Sequence, residues 1–330
     1  MTKEQSLQLK GVAILMMLWL HLFNTAERVA ECTTCINFLN GKPLVYALAR
    51  VAGLCVPIYL FISGYGLAKS TDLRGSALWR RLRRVYSHYW LVFIIFIPIG
   101  CFLAPVHYPG NIWEAVLNFF SLSESYNQEW WFLLPYVVLL VLARWIVPFI
   151  RERKFWQNFV LFLLLFLLAT ISFKVKGQFS DNLPVRRLIH FVLLLPAFYG
   201  GVCCGSHLSG AWYGRSRRGA LWWLLLLLFV RCFIGASIVN VLFCIPFILL
   251  FIQLNIPQPL QSVFRFFGRH STFMWLTHTF YAYYFFHDEL YGLHYPLVMY
   301  VVLLVASLLT AMVLNWILRV LNSFFCRPSN

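Results

Sequence analysis

Lys10 and His21 are ionisable side chains set in an otherwise apolar stretch. From Leu9 to Asn24 the sequence reads Leu-Lys-Gly-Val-Ala-Ile-Leu-Met-Met-Leu-Trp-Leu-His-Leu-Phe-Asn, and nothing else in it can carry charge. Eleven steps of about 100° bring both side chains to within about 20° of each other around a helix, about 16 Å apart along its axis. An imidazole with a reference pKa near 6.5 can take a proton from a hydroxyl or accept a transferred group itself. Charged groups in a membrane span are costly and usually turn toward an interior cavity, so a cation and an imidazole on one stripe point to a site. A plainer reading fits the same residues: Lys10 as a boundary anchor and His21 as a hydrogen-bonded group between helices.

A second set of candidates lies at Trp79-Arg80-Arg81-Leu82-Arg83-Arg84-Val85-Tyr86. On a helix Arg81 and Arg84 share a face, as do Arg80 and Arg83. Guanidinium forks on one face suit bidentate contacts to phosphate, although an arginine cluster here also fits topology and anionic lipid. The preceding run, Pro57-Ile58-Tyr59-Leu60-Phe61-Ile62-Ser63-Gly64-Tyr65-Gly66-Leu67, ends a span on the same side. Pro57, Gly64 and Gly66 are expected to break its helical regularity, which membrane depth tolerates only where protein or a cavity covers the freed backbone.

The elements that must position these groups are membrane helices. The chain is 61% hydrophobic and 12% charged, with a mean hydropathy of +0.74, which excludes a soluble globular core. A span needs about 20 residues, so the first helix must extend into Leu7 on one side and to Ala26 on the other. Ten hydrophobic segments are expected, near 6–26, 44–69, 85–105, 129–150, 155–173, 187–206, 219–233, 236–253, 271–287 and 295–321. The seventh and eighth are short and divided only around Gly235-Ala236-Ser237. With the N-terminus inside, cytosolic loops and ends hold 19 of the 27 Lys and Arg, and the outer side holds eight of the eleven acids. That is the positive-inside pattern, with both termini cytosolic. It also accounts for the net charge of +16 without a nucleic-acid partner. A cleaved signal peptide fits poorly, because Glu4 spoils the basic leader and no small-x-small pattern follows. Most of the nine cysteines read as small core residues. Cys32 and Cys35, in an outer loop, are spaced for a small disulfide.

These residues together resemble the acyltransferase-3 family of integral membrane acyltransferases. The resemblance is carried by Lys10-x10-His21, Tyr59 to Tyr65, Arg81-x-x-Arg84, Trp130-Trp131-Phe132-Leu133 and Gly268-Arg269-His270-Ser271-Thr272-Phe273-Met274-Trp275-Leu276-Thr277-His278, in the family's order over about residues 5 to 320. The family more often has Arg where this chain has Lys10, and Pro where it has Ser87. The resemblance implies an all-α bundle of about ten spans forming a single domain, 1–330, as a stand-alone member without an appended extracytoplasmic domain. It implies transfer of an acyl group, typically acetyl, from cytosolic acyl-CoA to a hydroxyl of a surface carbohydrate or lipid-linked precursor, in a bacterial inner membrane. Lys10 and His21 carry over as functional, with His21 the catalytic candidate. Arg81 and Arg84, with Arg80, Arg83 and Ser63 beside them, are the candidates for binding acetyl-CoA as donor co-substrate. Glu129, Trp130 and Trp131, at the outer start of the fourth span, suit the hydroxyls and CH faces of a glycan, although interfacial anchoring explains the tryptophans equally. His278, mid-span in the ninth segment, is the second candidate for a catalytic or structural role and is grouped with the substrate-side residues, although core hydrogen bonding is its plainer reading. Arg144 and Arg231 near span ends read as snorkelling, and no metal site is expected from His287, Asp288, Glu289 and His294. A transporter or flippase for a lipid-linked glycan is the alternative; its paired broken spans are not evident in the positions of Pro57, Pro98, Pro135, Pro196 and Pro246.

Overall fold

The computed structural model describes residues 1–33, 36–38, 41, 43–179, 181–208 and 219–325. Fourteen α-helices make up the described chain, and among the described residues there is no β-strand beyond one isolated bridge, Asn37 to Pro43. They are α1 (Lys3–Phe23), α2 (Ala26–Ala30), α3 (Leu44–Ala52), α4 (Cys55–Ala68), α5 (Gly75–Leu103), α6 (Ile112–Phe119), α7 (Leu133–Arg151), α8 (Phe155–Val175), α9 (Leu183–His207), α10 (Ala220–Phe233), α11 (Asn240–Phe251), α12 (Gln258–Thr279), α13 (His287–Tyr291) and α14 (Pro296–Phe325). Among the described residues seven stretches are long and apolar enough to cross a membrane, with α10 and Ser237–Phe251 as shorter apolar helices. The protein is an all-α, multi-pass membrane bundle.

Local chemistry sets the helix ends near the site. Thr2 and Gln5 form a capping box, the Thr2 hydroxyl accepting from the Gln5 amide at 3.1 Å and the Gln5 side chain from the Thr2 amide at 2.9 Å, so α1 starts at Lys3. The second span is broken, but not where expected. Pro57 sits in the first turn of α4, where its missing N–H costs nothing, and Gly64 and Gly66 lie within an unbroken helix. The break falls at Gly53-Leu54, between α3 and α4. The third span also begins earlier than expected: α5 starts at Gly75, so Arg80 to Arg84 lie on the helix itself. α12 likewise starts at Gln258 with a polar half, well before the expected 271.

Two close helix crossings frame the interior. A Cβ on Gly11 of α1 would lie 1.9 Å from the Phe264 carbonyl oxygen of α12, and one on Gly268 of α12 would lie 2.0 Å from the Leu7 carbonyl oxygen. The α4–α9 crossing is built alike: a Cβ on Gly64 would meet the Phe198 carbonyl oxygen, and one on Gly201 the Phe61 carbonyl oxygen, each at 2.2 Å. Small residues let membrane helices approach backbone to backbone. Outside these crossings α8, α10 and α14 expose Leu164, Leu167, Trp222, Val301 and Leu309, as lipid-facing helices should.

One expectation about a polar group changes. Arg231 does not snorkel: it is 1% exposed, its Nε donating to Asn240 Oδ1 and its Nη1 to the Ile234 carbonyl, each at 2.5 Å. The split between α10 and α11 brings Asn240 back to it. The proposed Cys32–Cys35 pairing lies outside the described residues, because Cys35 is not among them.

Candidate active site

α1, α4, α5, α7 and α12 enclose a cavity of about 610 Å³. Ser6, Lys10, Met17 and His21 all line it, so it follows one face of α1 for fifteen residues, about 22 Å at 1.5 Å per residue. The side chains change along that length. Arg81 and Arg84 of α5 and Arg269 of α12 line the part beside the start of α1, Tyr59, Ser63 and Tyr136 line the wall, and His21, Glu129 and Leu133 line the part beside its end. Periodicity put Lys10 and His21 on one stripe, and both open on this one space.

The donor candidates divide. Arg81 and Arg84 line the cavity, whereas Arg80 and Arg83 do not. Arg81 is also tied to the loop before its helix, donating from Nη2 to the Ser70 hydroxyl at 2.8 Å and from Nη1 to the Asp72 carbonyl at 3.1 Å. Ser63 Oγ lies 3.1 Å from the Tyr136 hydroxyl. Arg269, within a quoted motif but assigned no role from sequence, joins the same space.

Around His21 the contacts come from Glu129, from Tyr283 and His278 near the end of α12, and from Arg28, seven residues further along the chain. His21 Nδ1 lies 3.3 Å from Glu129 Oε1 and 3.1 Å from the Tyr283 hydroxyl. That hydroxyl donates to the His21 carbonyl at 2.6 Å and accepts from Arg28 Nη1 at 2.7 Å. With its hydrogen committed to the carbonyl, the Tyr283 oxygen faces Nδ1 as an acceptor, as does Glu129. The network thus assigns the proton to Nδ1 and leaves Nε2 as the basic nitrogen. Arg28 Nη1 also donates to the His21 carbonyl at 3.1 Å and to Asn24 Oδ1 at 2.7 Å. Asn24, the nearest polar neighbour in sequence, is therefore held by Arg28 and does not orient the imidazole.

Glu129 is delivered by a short 3-10 turn, Gln128–Phe132, that docks on the end of α12. Asn127 caps it, accepting from the Glu129 amide at 3.1 Å, and its Nδ2 donates to Thr279 Oγ1 at 2.8 Å. Trp130 Nε1 donates to the Leu276 carbonyl at 3.1 Å. Trp130 is therefore interior, 2% exposed, and not a cavity-wall residue for a glycan; its single donor is spent on holding the turn. Trp131, the next residue, does line the cavity. His278 is also off the wall: it is fully buried, its Nδ1 donates to the Trp275 carbonyl at 2.8 Å, and its ring packs 4.9 Å from that of His21. It backs the imidazole from behind.

Tyr283 stands in a π-helical segment, Phe280–Phe285, that continues α12. Such segments recur at functional sites because the extra residue per turn re-aims side chains. Arg28 and Tyr283 were invisible to motif reading. The only trace of Tyr283 in the sequence is an aromatic run, Phe-Tyr-Ala-Tyr-Tyr-Phe, just after His278. Among the described residues no group of three or more His, Cys, Asp or Glu is arranged to hold a metal.

Fold and site together define a multi-pass membrane protein whose interior cavity joins an arginine-lined part to a histidine beside a carboxylate. A family model described as an acyltransferase domain matches residues 7–318, nearly the whole chain. The protein belongs to the acyltransferase-3 family and is a membrane acyltransferase; nothing in the match favours a transporter. No curated protein and no solved structure matches the chain.

Proposed function

We propose that this acyltransferase takes its acyl group, acetyl in the simplest case, from cytosolic acyl-CoA and passes it to a hydroxyl of a surface carbohydrate or lipid-linked glycan precursor in a bacterial inner membrane. The observation that carries this reading is the single cavity open both to Arg81 and Arg84 and to His21 with Glu129. CoA is an extended molecule with phosphates at one end and a thioester at the other. Guanidinium forks suit the phosphates, and an imidazole suits the reacting end.

In this mechanism Arg81, Arg84 and Arg269 hold the nucleotide phosphates, Lys10 adds positive charge along the path, and the thioester lies at His21. Nε2 takes the proton of the acceptor hydroxyl as its oxygen forms a bond to the thioester carbonyl carbon. Glu129 stabilises the imidazolium through Nδ1–H. The tetrahedral adduct collapses by breaking the C–S bond, and the imidazolium returns its proton to the departing sulfur. In a relay variant Nε2 itself attacks the thioester carbonyl carbon, the C–S bond breaks and CoA leaves as the thiolate; the acceptor hydroxyl then attacks the acyl carbon, the C–N bond breaks and the hydroxyl proton passes to the thiolate. Both routes put His21 at the centre.

The test is transfer of labelled acetyl from acetyl-CoA to a membrane glycan fraction by protein in nanodiscs. His21→Ala should abolish transfer while the protein still inserts and binds acetyl-CoA. His21→Gln should fail as well, since an amide hydrogen-bonds but takes no proton near neutral pH. Full transfer by inserted His21→Ala would overturn the mechanism.

A further inference from the structure

One cluster of polar groups next to the cavity has no part in this mechanism. It lies where the segment between α6 and α7 folds back on the first half of α9. Arg187, 10% exposed at its side chain, faces the Glu124 carboxylate, which Arg186 also reaches at 3.0 Å. Arg187 Nε and Nη2 donate to the Leu122 carbonyl at 3.2 and 3.0 Å. Its remaining nitrogen, Nη1, is buried and has no hydrogen-bond partner among the described residues. His190, three residues on and so on the same helix face, likewise has a buried Nδ1 with no partner among them. The His190 ring packs 4.8 Å from that of Trp131, and Trp131 lines the cavity shared by His21 and Glu129.

A buried polar atom left unpaired costs about 1–3 kcal/mol, more when charged, so two within one turn call for a ligand group. We infer that Arg187 Nη1, His190 and Trp131 form a recognition subsite for an anionic sugar, one bearing a carboxylate or phosphate on its ring, on the acceptor side of the cavity. This deepens the acyltransfer reading and rests on it. A guanidinium edge and an imidazole suit the anion, and the indole face suits the CH face of a pyranose. An anionic lipid headgroup offers similar chemistry, but the outward side of this turn belongs to Leu188, 61% exposed, whereas the Arg187 side chain is 10% exposed and the His190 ring packs on Trp131.

The test is saturation-transfer NMR on the full chain in phosphatidylcholine nanodiscs, with glucuronate, glucose 6-phosphate and glucose as probes and acyl-CoA binding measured on the same samples. Both acidic sugars should bind at least about 10-fold more tightly than glucose. Arg187→Gln should reduce them to the level of glucose and leave acyl-CoA binding unchanged. If that variant does not fold, His190→Gln carries the same expectation with the Glu124 contacts untouched. A protein that binds acyl-CoA but shows no preference for acidic sugars, or keeps the preference in Arg187→Gln, overturns the subsite and leaves the acyltransfer reading standing. Co-purified phosphatidylglycerol that is lost in Arg187→Gln, with no acidic-sugar saturation, gives the cluster to lipid and overturns it too. Wild-type protein that binds no acyl-CoA overturns the donor reading and the subsite with it.

Discussion

Replacing Glu129 by Gln removes one charge beside His21 and changes little else. The amide has nearly the same volume, and its oxygen can still accept from Nδ1–H, so the tautomer and ring orientation are retained. What is lost is the attraction between a carboxylate and the imidazolium that forms as Nε2 takes the hydroxyl proton. At the 3.3 Å separation, an effective dielectric constant of about 20 gives about 5 kcal/mol. The Glu129 side chain is 22% exposed, so solvent screening reduces this to about 4 kcal/mol. At 1.36 kcal/mol per decade that is a loss of about 10³-fold in rate. The neutral ground state does not share the interaction, so the loss belongs in kcat. The KM for acyl-CoA should stay within about threefold, because the donor phosphates dock beside the start of α1, away from His21. The assay is single-turnover consumption of labelled acyl-CoA in nanodiscs, with binding measured separately. His21→Ala combined with Glu129→Gln should be no slower than His21→Ala alone, since the two residues act as one unit. A loss below about 10-fold in well-inserted Glu129→Gln, or one confined to KM, would refute the dyad.

Other consequences are as direct. Replacing Arg81 and Arg84 together by Ala should weaken acyl-CoA binding by at least about 10-fold and flatten its salt dependence; unchanged binding would reduce the pair to a topology signal. Lys10→Arg should keep much of the transfer rate because the charge stays, and Lys10→Ala should lose it; equal rates for the two would remove Lys10 from the site. Gly11→Ala drives a Cβ to 1.9 Å from a backbone oxygen and should lower thermal stability by about 1–3 kcal/mol or more. Gly66→Ala, with nothing within 4 Å, should not, so equal melting shifts for both would contradict the close crossing of α1 and α12. Cysteine labelling should place 70–84 inside and 27–43 and 107–127 outside; labelling of 27–43 from the cytosol would reverse the orientation and with it the donor's side.

The sequence by itself determined what depends on short-range periodicity and on the bilayer. Hydropathy fixed a multi-pass helical protein, because no other solvent accepts so much apolar chain. The eleven-residue spacing put Lys10 and His21 on one stripe, because a helix repeats every 3.6 residues whatever surrounds it. The same reasoning paired Arg81 with Arg84. Only the tertiary structure decided what stands opposite those stripes. Glu129 and Tyr283 reach His21 across 108 and 262 residues, and nothing local to any of the three records which helix faces will meet. Trp130 and Trp131 are adjacent and chemically alike, yet one pins a turn to the Leu276 carbonyl and the other lines the cavity, a difference set by how that turn docks. Gly64 read as a helix breaker and is a contact point, because its lack of a Cβ is used by α9 and not by its own backbone. A residue's type and spacing follow from covalent geometry, but its partner follows from packing, and the minimum of packing energy belongs to the whole bundle rather than to any one segment.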